Sequence, residues 1–589
     1  MIWIPAFLVP LTVAAVIGGL GRLGGLRAHR VRAWVVRLSW VAVLPAALAA
    51  LTDPGGVHRV DWMLLGTTIS ADAIGRPLVL MATGLYALAL SFVVRAKSRR
   101  THVLTAFLLL CFTGNIAVFV AADLVTFYLA FAAMSFLGYA IVVHDLTPAA
   151  RGAGSVYLVL TVAGECAVLA ALMILGAEGV MSVADAPAAV AASPSRDVLI
   201  ALLLVGFGVK AGTVPLHVWL PLAHPAAPSP ASAVLSGAML KAGIVGWLRF
   251  LPLGEGAGEP VWGAVFLALG LVGGLLAVPV GVLHDNPKVV LAYSSISQMG
   301  FLAAVVGAAL VDPGLAPACV AAVVVYSVAH GLVKGVLFLG VQAWDAERIP
   351  RAIVLVALAV ASLALVGVPF TSGYIAKYAG KEAVGDVVAP LVPVAVADVL
   401  PWFGVGSTLL LARFFIVLVR RERHAHRTAV SRDIAWVLVC VGAVVPVAAL
   451  AEILSPPVSV PEWFSPGTMW GQTWPLLLGL AVAAGAWALA RRLPASRLLH
   501  PRGDVVPPGD VVVVEERAAH ALGRGIARAS EGLGHARESA LTAARRAPSA
   551  GPLLDRVQGG LGTWVGSGVV LAVLLAAALW AAVATGALP

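Results

Sequence analysis

Long apolar runs separated by short polar breaks make up most of the chain. Because a bilayer core takes about 20 apolar residues per helix, each run of that length predicts one membrane-spanning helix. The pattern predicts sixteen spans, with ends placed to within about 2–4 residues. They lie near 3–20, 33–51, 73–94, 103–121, 124–143, 153–176, 198–222, 230–252, 261–283, 289–310, 317–342, 352–378, 391–419, 434–453, 474–490 and 564–586.

Composition narrows the class of protein. Of 589 residues, 60% are apolar and 12% are charged, whereas a soluble domain carries about 25% charged residues. A soluble domain, a disordered chain and a disulfide-stapled scaffold are therefore excluded. The four cysteines stand apart in apolar runs, without metal-ligand spacing. We expect an all-α, multi-pass protein of the inner or plasma membrane, with no metal site and no cofactor of its own.

Charge in the polar breaks predicts the orientation of the chain. A basic cluster at 95–100 follows the third span, and breaks after other odd-numbered spans are also basic. The break at 253–260, after the eighth span, contains only Glu255 and Glu259 as charged residues. Because basic loops stay in the cytoplasm, both chain ends are predicted to lie outside it. The net charge of +10 belongs to this pattern, so nucleic acid is not expected as a partner.

Ionisable residues inside the predicted spans are the candidate functional groups. A charge at bilayer depth is costly, and desolvation disfavours the charged form of a lysine, so a row of buried lysines can pass protons. Snorkelling to an interface and structural ion pairing are the alternatives for any one residue. The candidates for a proton pathway are Glu165, Lys210, Lys241, His330, Lys334 and Lys377; Asp398 and Arg413 lie in the long thirteenth run.

Prolines beside two of these lysines predict broken helices. Pro215 follows Lys210, and Pro369 precedes Lys377, each in a stretch that contains glycine. Interrupted spans at corresponding places indicate a transporter built from inverted repeats, here two repeats of five helices each. The predicted domains are N-terminal spans (1–100), a first repeat (101–252), a second repeat (253–420), additional spans (421–509), a lateral segment (510–560) and a final span (561–589).

The lateral segment is predicted from its amphipathic pattern. Between 510 and 547, apolar residues recur at spacings of three and four among six arginines and five acids. Such a helix lies along a membrane or a partner protein instead of spanning the bilayer. Four glycines weaken it by about 1 kcal/mol each, so we expect other subunits to hold it. The alternative is a solvated linker before the last span.

Several ordered motifs resemble the proton-conducting antiporter-like family. This family includes large membrane subunits of respiratory complex I, of Mrp-type sodium/proton antiporters and of membrane-bound hydrogenases. The matching stretches are 210–221, 223–230, 236–243, 286–300, 330–339 and 367–377. The phrase Ala223-His-Pro-Ala-Ala-Pro-Ser229 resembles the formate hydrogenlyase and hydrogenase-4 type of subunit. The last 80 residues resemble the C-terminal arm of the longest complex I subunit of this kind and of its hydrogenase counterparts.

The resemblance implies roles for the buried groups. Lys210 is the central lysine of a first half-channel, Lys241 the connecting lysine, and Lys377 the terminal lysine of a second half-channel. His330 and Lys334 are the relay groups between them. One position departs from the family, which has a Trp-Glu pair where this chain has Phe131 and Ala132. We expect either that Glu165 replaces the missing glutamate or that the first half-channel is altered or silent.

The predicted function follows from the resemblance and from the absence of a cofactor ligand set. We expect a non-catalytic, ion-translocating subunit of a multisubunit redox complex, in which partner subunits carry out the electron transfer. Protons or sodium ions, membrane and peripheral subunits and the lipid bilayer are the expected partners. A subunit of a cation/proton antiporter and a non-pumping membrane anchor for a hydrogenase or dehydrogenase arm remain as alternatives. The missing glutamate favours the anchor.

Overall fold

The structure is a computed structural model. It describes residues 2–23, 25–61, 63, 66–93, 100–346, 350–390, 393–421, 458–462, 464–494, 496–502 and 505–506. Over these residues the protein is mostly helical, and twelve helices are long and apolar enough to cross a membrane. The chain is therefore a multi-pass membrane protein. These residues lie within one compact unit, 1–510.

The N-terminal part joins three helices to a short hairpin. The helices are α1 (Ile4–Leu23), α2 (Gly25–Leu38) and α3 (Leu44–Thr52), with a 3₁₀ turn at Ser39–Val43. The sequence pattern predicts an arginine-rich break at 21–32, between the first two spans. From Gly25 onwards this break is helical, because the second span is continuous from Gly25 to Thr52. Two strands, β1 (Val57–Val60) and β2 (Thr67–Ser70), pair antiparallel with Val57 opposite Ser70. This hairpin is missing from the all-α prediction, because four-residue strands carry too short a pattern to detect.

Nine helices form the part of the chain that holds the first pair of lysines. They are α4 (Gly75–Val93), α5 (Thr101–Val120), α6 (Leu124–Val142), α7 (Pro148–Ala177), α8 (Ala186–Ala192), α9 (Arg196–Ala211), α10 (Trp219–Ala226), α11 (Ser229–Val234) and α12 (Lys241–Phe250). A π-helical turn, Leu235–Met239, joins α11 to α12. Together these three form one candidate span, Ser229–Phe250, that is completely buried.

Eight further helices follow among the described residues. They are α13 (Pro260–Val282), α14 (Pro287–Val311), α15 (Ala316–Asp345), α16 (Arg351–Val366), α17 (Ser372–Ala383), α18 (Val396–Val399), α19 (Trp402–Val419) and α20 (Pro466–Arg492). Pro313–Leu315 forms a 3₁₀ turn before α15. The candidate span Pro287–Val311 is completely buried, whereas the span of α20 is only 11% buried. The centre of this part is therefore α14, and α20 lies at its edge against α19.

The structure confirms most, but not all, of the sixteen predicted spans as single helices. Twelve correspond to the candidate spans, and two, 198–222 and 352–378, are each divided into two helices by a break. The remaining two, 434–453 and 564–586, lie outside the described residues, as does the lateral segment 510–547. The fold is thus a polytopic helical membrane protein, while the full span count stays a prediction.

Glycines bring α13 and α14 into backbone contact. A side chain added at Gly270 would lie 2.7 Å from the carbonyl oxygen of Gly300, and one at Gly263 would lie 2.8 Å from that of Gly307. Small residues allow this approach, which is a common way to pack helices in a bilayer. The two helices therefore meet along a seam without large side chains.

Polar breaks gather at two separate ends of the described helices. At one end, Arg421 pairs with Asp345 at 3.1 Å, and both act electrostatically on Lys288, as does Asp145. These residues come from breaks after odd-numbered spans. Even-numbered breaks line a different cavity of about 690 Å³, which includes Asp72, Asp123 and Arg249. Arg249 holds that end together, because its guanidinium donates to the Phe119 and Ala121 carbonyls and to Asp72.

Candidate functional site

A helix break places Lys210 in the interior. The helix α9 ends at Ala211, and Gly212 adopts the left-handed region with φ +70°. Only glycine fits this position, because a side chain there would lie 2.1 Å from Leu220 in addition to the strain of that conformation. Pro215 lies in the turn that leads to α10. Lys210, one residue before the end of α9, is only 5% exposed.

Hydroxyl and aromatic groups surround the Lys210 amine. Its Nζ donates to Oγ of Ser135 at 2.8 Å and lies 3.5 Å from the Tyr157 hydroxyl. The rings of Phe131 and Tyr157 lie with their centroids 5.9 Å from Nζ, within the range of cation–π attraction. Tyr157 in turn donates to the Ser135 backbone carbonyl at 2.8 Å. Ser135 therefore links α6, α7 and α9 at the lysine.

Glu165 lies close enough to Lys210 to act on it electrostatically, but it does not form an ion pair with it. The carboxyl group is 4% exposed, and neither of its oxygens has a hydrogen-bond partner among the described residues. The charges of Glu165 and Lys210 act on each other, and Ser135 lies beside both. Ala132 is half-buried on α6.

Lys241 and His330 meet directly. Nζ of Lys241 lies 2.7 Å from Nδ1 of His330 and donates to the Ser236 carbonyl at 3.1 Å. That carbonyl belongs to the π-helical turn, where the wider hydrogen-bond spacing changes which carbonyls face inward. Nε2 of His330 has no partner among the described residues, which leaves one nitrogen able to exchange a proton with a third group.

Lys334 stands one helical turn beyond His330 on α15. It is fully buried, and its Nζ donates to the Leu291 carbonyl of α14 at 2.8 Å. Ser295, one turn further along α14, shares a hydrogen bond of 2.8 Å with Ser236. Lys334 and the π-helical turn thus contact the same face of α14.

The second break positions Lys377. The helix α16 ends at Val366, Gly367 has φ +93°, and α17 begins at Ser372 after Pro369. Nζ of Lys377 donates to the Val366 carbonyl at 2.9 Å, which is one of the last acceptors of α16 and has no partner within that helix. Between α15 and α17 lies a cavity of about 10 Å³, bordered by Tyr326, His330 and Ala376. It has room for about one water molecule.

Some polar contacts could not be predicted from the sequence. Tyr326 donates to Gln298, whose amide donates to Ser407 at 3.1 Å. The His224 ring stacks on Phe338 at 4.4 Å, and neither of its nitrogens has a partner among the described residues. Hydroxyl and amide groups join residues far apart in the chain, so no local spacing marks them. His224 lies in a motif already noted, but nothing distinguishes it there from a core histidine.

Two further charges of the thirteenth run have other surroundings. Arg413 donates to the carbonyls of His284 and Pro501 at 2.9 and 2.8 Å, so it ties α19 to two other segments. Asp398 is exposed in α18. Among the residues that the structure describes, no group of three or more His, Cys, Asp and Glu side chains could hold a metal ion.

Comparison with known proteins places the buried groups inside a family region. Residues 121–384 match the family described as NADH:quinone oxidoreductase/Mrp antiporter, TM. Over these residues, the chain is similar to the antiporter-like subunit family. All six candidate residues of the proton pathway and both helix breaks lie within the matched region.

Curated relatives match part of the length of this chain. An uncharacterized protein of Mycobacterium tuberculosis is 33% identical over 363 residues, covering 57% of this chain and 56% of that protein. Hydrogenase-4 component B of Escherichia coli is 34% identical over 236 residues, covering 39% of this chain and 35% of that protein. The chain thus spans between about a third and just over half of these relatives.

A solved structure supports the fold of this chain. A chain of the Mrp complex from Dietzia sp. superposes with a TM-score of 0.68 at 22% identity, covering 99% of this chain and 63% of that chain. At this level of identity the likeness concerns the fold alone.

Proposed function

We propose that this antiporter-like subunit translocates protons within a multisubunit membrane redox complex of the complex I or membrane-bound hydrogenase type. The contact between Lys241 and His330 carries the proposal. Two groups that can each gain or lose a proton lie within hydrogen-bond distance, both almost fully buried. Such an arrangement costs free energy in a bilayer, so it needs a functional reason.

The proposed path follows the groups in order. A proton at Lys210 passes to Lys241, then to His330, and leaves through Lys334 and Lys377. Each lysine donates to a carbonyl or hydroxyl oxygen, none of which carries a full negative charge. The charge on one lysine is therefore balanced only by charges that come and go nearby. A proton that enters the proposed path at Lys210 can therefore displace a proton from Lys377 at the other end of the path.

The two helix breaks support two repeated half-channels, over 101–252 and 253–420. Each break has a glycine in the left-handed region and a proline, and each holds a buried lysine beside it. Broken helices of this kind bring free backbone carbonyls to membrane depth, where they bind ions or water. In this proposal Lys210 and Lys377 occupy equivalent places.

The partners of the subunit complete the proposed reaction. In this proposal, electron transfer takes place in other subunits, and the sequence predicts no cofactor site in this chain. The description of the matched family names NADH:quinone oxidoreductases and Mrp antiporters, and one relative is a hydrogenase component. The subunit itself is thus proposed to be non-catalytic and to act from the cell membrane.

Proton movement by the reconstituted complex tests the first half-channel. We expect Glu165→Gln and Lys210→Ala each to lower the initial rate of redox-driven proton movement at least about tenfold. The double variant should lose little more, because the two groups act as one unit. Glu255→Gln, which alters a glutamate in a loop outside the spans, is the matched control and should leave the rate unchanged.

Each other outcome has a definite meaning. Full proton movement in Glu165→Gln contradicts the replacement of the family's glutamate by Glu165. Full movement in Lys210→Ala as well removes the first half-channel from the path. Unchanged movement in Lys241→Ala and His330→Ala would overturn the proposal as a whole, and the subunit would then act as an anchor. Ion exchange without any redox partner would instead identify an antiporter.

A further inference from the structure

A cationic cavity lies where α2 meets the first turn of α5. Its volume is about 420 Å³. Its lining is rich in arginine, histidine and tryptophan, and includes His29, Arg30, Arg32, Trp34, Arg37 and His102. We call this the basic cavity. It lies outside the family region and far along the chain from the lysines of the proposed path.

The described residues do not balance the positive charge of the basic cavity. Three arginines line it, and no acidic residue is among its described lining residues. The ion pairs between described residues involve Arg59, Arg196, Arg249 and Arg421 on the arginine side, and none of them reaches the cavity. Three guanidinium groups around one opening repel each other, so an anion bound among them would lower the free energy of this arrangement.

The start of α5 adds to the attraction for an anion. Thr101 and His102 line the cavity, and they form the first turn of a helix of 20 residues. This turn has no acidic residue and no capping side chain among the described residues. The amides of a first helical turn have no partner within the helix, and the helix dipole is positive at that end. Backbone and side chains therefore favour the same kind of ligand.

Apolar side chains beside the arginines indicate the source of that anion. On the same short helix, Leu26 is 80% exposed, Trp34 61% and Val31 50%. Arg37 lies over the Trp34 ring at 5.7 Å. The helix begins two residues after α1, itself a candidate span. A basic helix with exposed apolar residues and a tryptophan lies at the level of the lipid headgroups.

We propose that the basic cavity binds an anionic glycerophospholipid. Its phosphate is held by Arg30, Arg32 and Arg37 and by the amides of the first turn of α5. Its acyl chains lie against the exposed apolar residues of α2. Guanidinium groups suit a phosphate, since their paired N–H groups match its oxygens. A free phosphate ion would bind to the cations, but it has no apolar part that could contact the exposed apolar side chains of α2.

Lipid binding to the purified full-length protein tests this proposal. Native mass spectrometry in a neutral detergent would follow binding of phosphatidylglycerol, with phosphatidylcholine and inorganic phosphate as separate arms. We expect Arg32→Gln/Arg37→Gln to weaken phosphatidylglycerol binding by about 30-fold. The matched control, Arg22→Gln/Arg27→Gln, removes the same charge from the same segment but outside the cavity lining, and should bind as the wild type does.

Three outcomes would overturn the proposal. Equal losses in both double variants would mean that the arginines act only through total charge, as topology signals do. Equal binding of phosphatidylcholine would remove the role of the anion. Competition by millimolar inorganic phosphate that abolishes lipid binding would point to a free anion site. If the double variant cannot be isolated, Arg37→Gln changes an exposed side chain only, and a loss of about fivefold is expected.

Discussion

A hydroxyl group, not a carboxylate, is the nearest polar partner of Lys210. Ser135 accepts from Lys210 at 2.8 Å, and Glu165 acts on the lysine without forming an ion pair with it. A carboxylate in contact would hold the ammonium strongly, whereas a neutral acceptor leaves the charge easier to move. Among the described residues, Lys210 is therefore surrounded by hydroxyl groups and aromatic rings.

Removing that hydroxyl should impair proton movement. In Ser135→Ala, Lys210 keeps only the Tyr157 hydroxyl at 3.5 Å, and a lost hydrogen bond to a charged group costs about 1.5–3 kcal/mol. We expect the initial rate of proton movement to fall at least about tenfold. Ser155→Ala is the matched control, because this exposed serine donates to the carbonyl four residues before it, as Ser135 does. Equal rates in the two variants would exclude a role for Ser135.

Asp53 illustrates a buried acid with a structural task. Trp3 donates to its carboxylate at 2.6 Å, the Gly55 amide donates at 2.9 Å, and His58 lies 3.1 Å away. Burial raises the pKa of Asp53, but the hydrogen bonds from Trp3, Gly55 and His58 outweigh burial, and the net pKa is lowered. The carboxylate therefore joins the start of α1 to the loop after α3.

This lowered pKa predicts how stability depends on pH. An acid with a depressed pKa stabilises the fold fully above its ordinary pKa of about 3.9, and the contribution is lost as pH falls through the lower folded value. The unfolding midpoint of the wild type in detergent should exceed that of Asp53→Asn at pH 6, and the difference should shrink towards pH 3. Asp185→Asn, at an exposed acid whose side chain makes no capping hydrogen bond among the described residues, should show no such trend. A difference that grows at low pH would contradict this account.

At the scale of elements, the broken helices depend on two glycines in the left-handed region. Gly212 follows the end of α9 and Gly367 follows the end of α16. The turn at Gly212 accompanies the buried Lys210, and the turn at Gly367 accompanies the buried Lys377. A side chain at Gly367 would lie 2.9 Å from Cδ of Lys377. The break and the position of the lysine are therefore one structural feature.

Substituting Gly367 by alanine should disturb Lys377. The left-handed conformation costs a non-glycine residue about 1–2 kcal/mol, and the added methyl group must also displace the lysine. We expect a lower unfolding midpoint and reduced proton movement. Gly84→Ala is the control, since nothing lies within 4 Å of a side chain added there. Normal proton movement in Gly367→Ala would mean that the place of Lys377 does not depend on this turn.

The sequence predicted the elements better than it predicted their contacts. Apolar runs of membrane length are a strong signal, so twelve spans could be located, and prolines beside glycines marked both breaks. The π-helical turn before Lys241 leaves no signal, because a shift of one hydrogen bond needs no particular residue. Ser135 reaches Lys210 across 75 positions, and a serine in an apolar helix looks like any other. Such contacts are set by how the helices pack together.

At the scale of the molecule, polar breaks after odd-numbered spans and polar breaks after even-numbered spans lie at two separate ends of the described helices. Asp145, Asp345 and Arg421 gather around Lys288, and each follows an odd-numbered span. The cavity with Asp72, Asp123 and Arg249 is lined from breaks after even-numbered spans. This is what an alternating membrane topology requires. The charge bias then predicts that the end with Lys288 faces the cytoplasm.

Cysteine labelling in whole cells tests this orientation. In a variant without the native cysteines, we expect Ala149→Cys and Arg497→Cys to resist a reagent that cannot cross the membrane. Ala257→Cys, in the acidic break after the eighth span, should react. All three residues are exposed on the protein itself, so access from one side of the membrane decides the result. Labelling of Ala149→Cys from outside would reverse the orientation.

The glycine seam between α13 and α14 has a consequence for hydration. A side chain added at Gly263 or Gly270 of α13 would lie less than 3 Å from the backbone of α14, so the two helices leave no gap along the seam. The polar groups of α14 lie on other faces, where Ser295 meets Ser236 and Gln298 meets Tyr326 and Ser407. On the proposed proton path, water molecules would therefore follow the polar faces of α14, and the closed seam would block their passage towards α13.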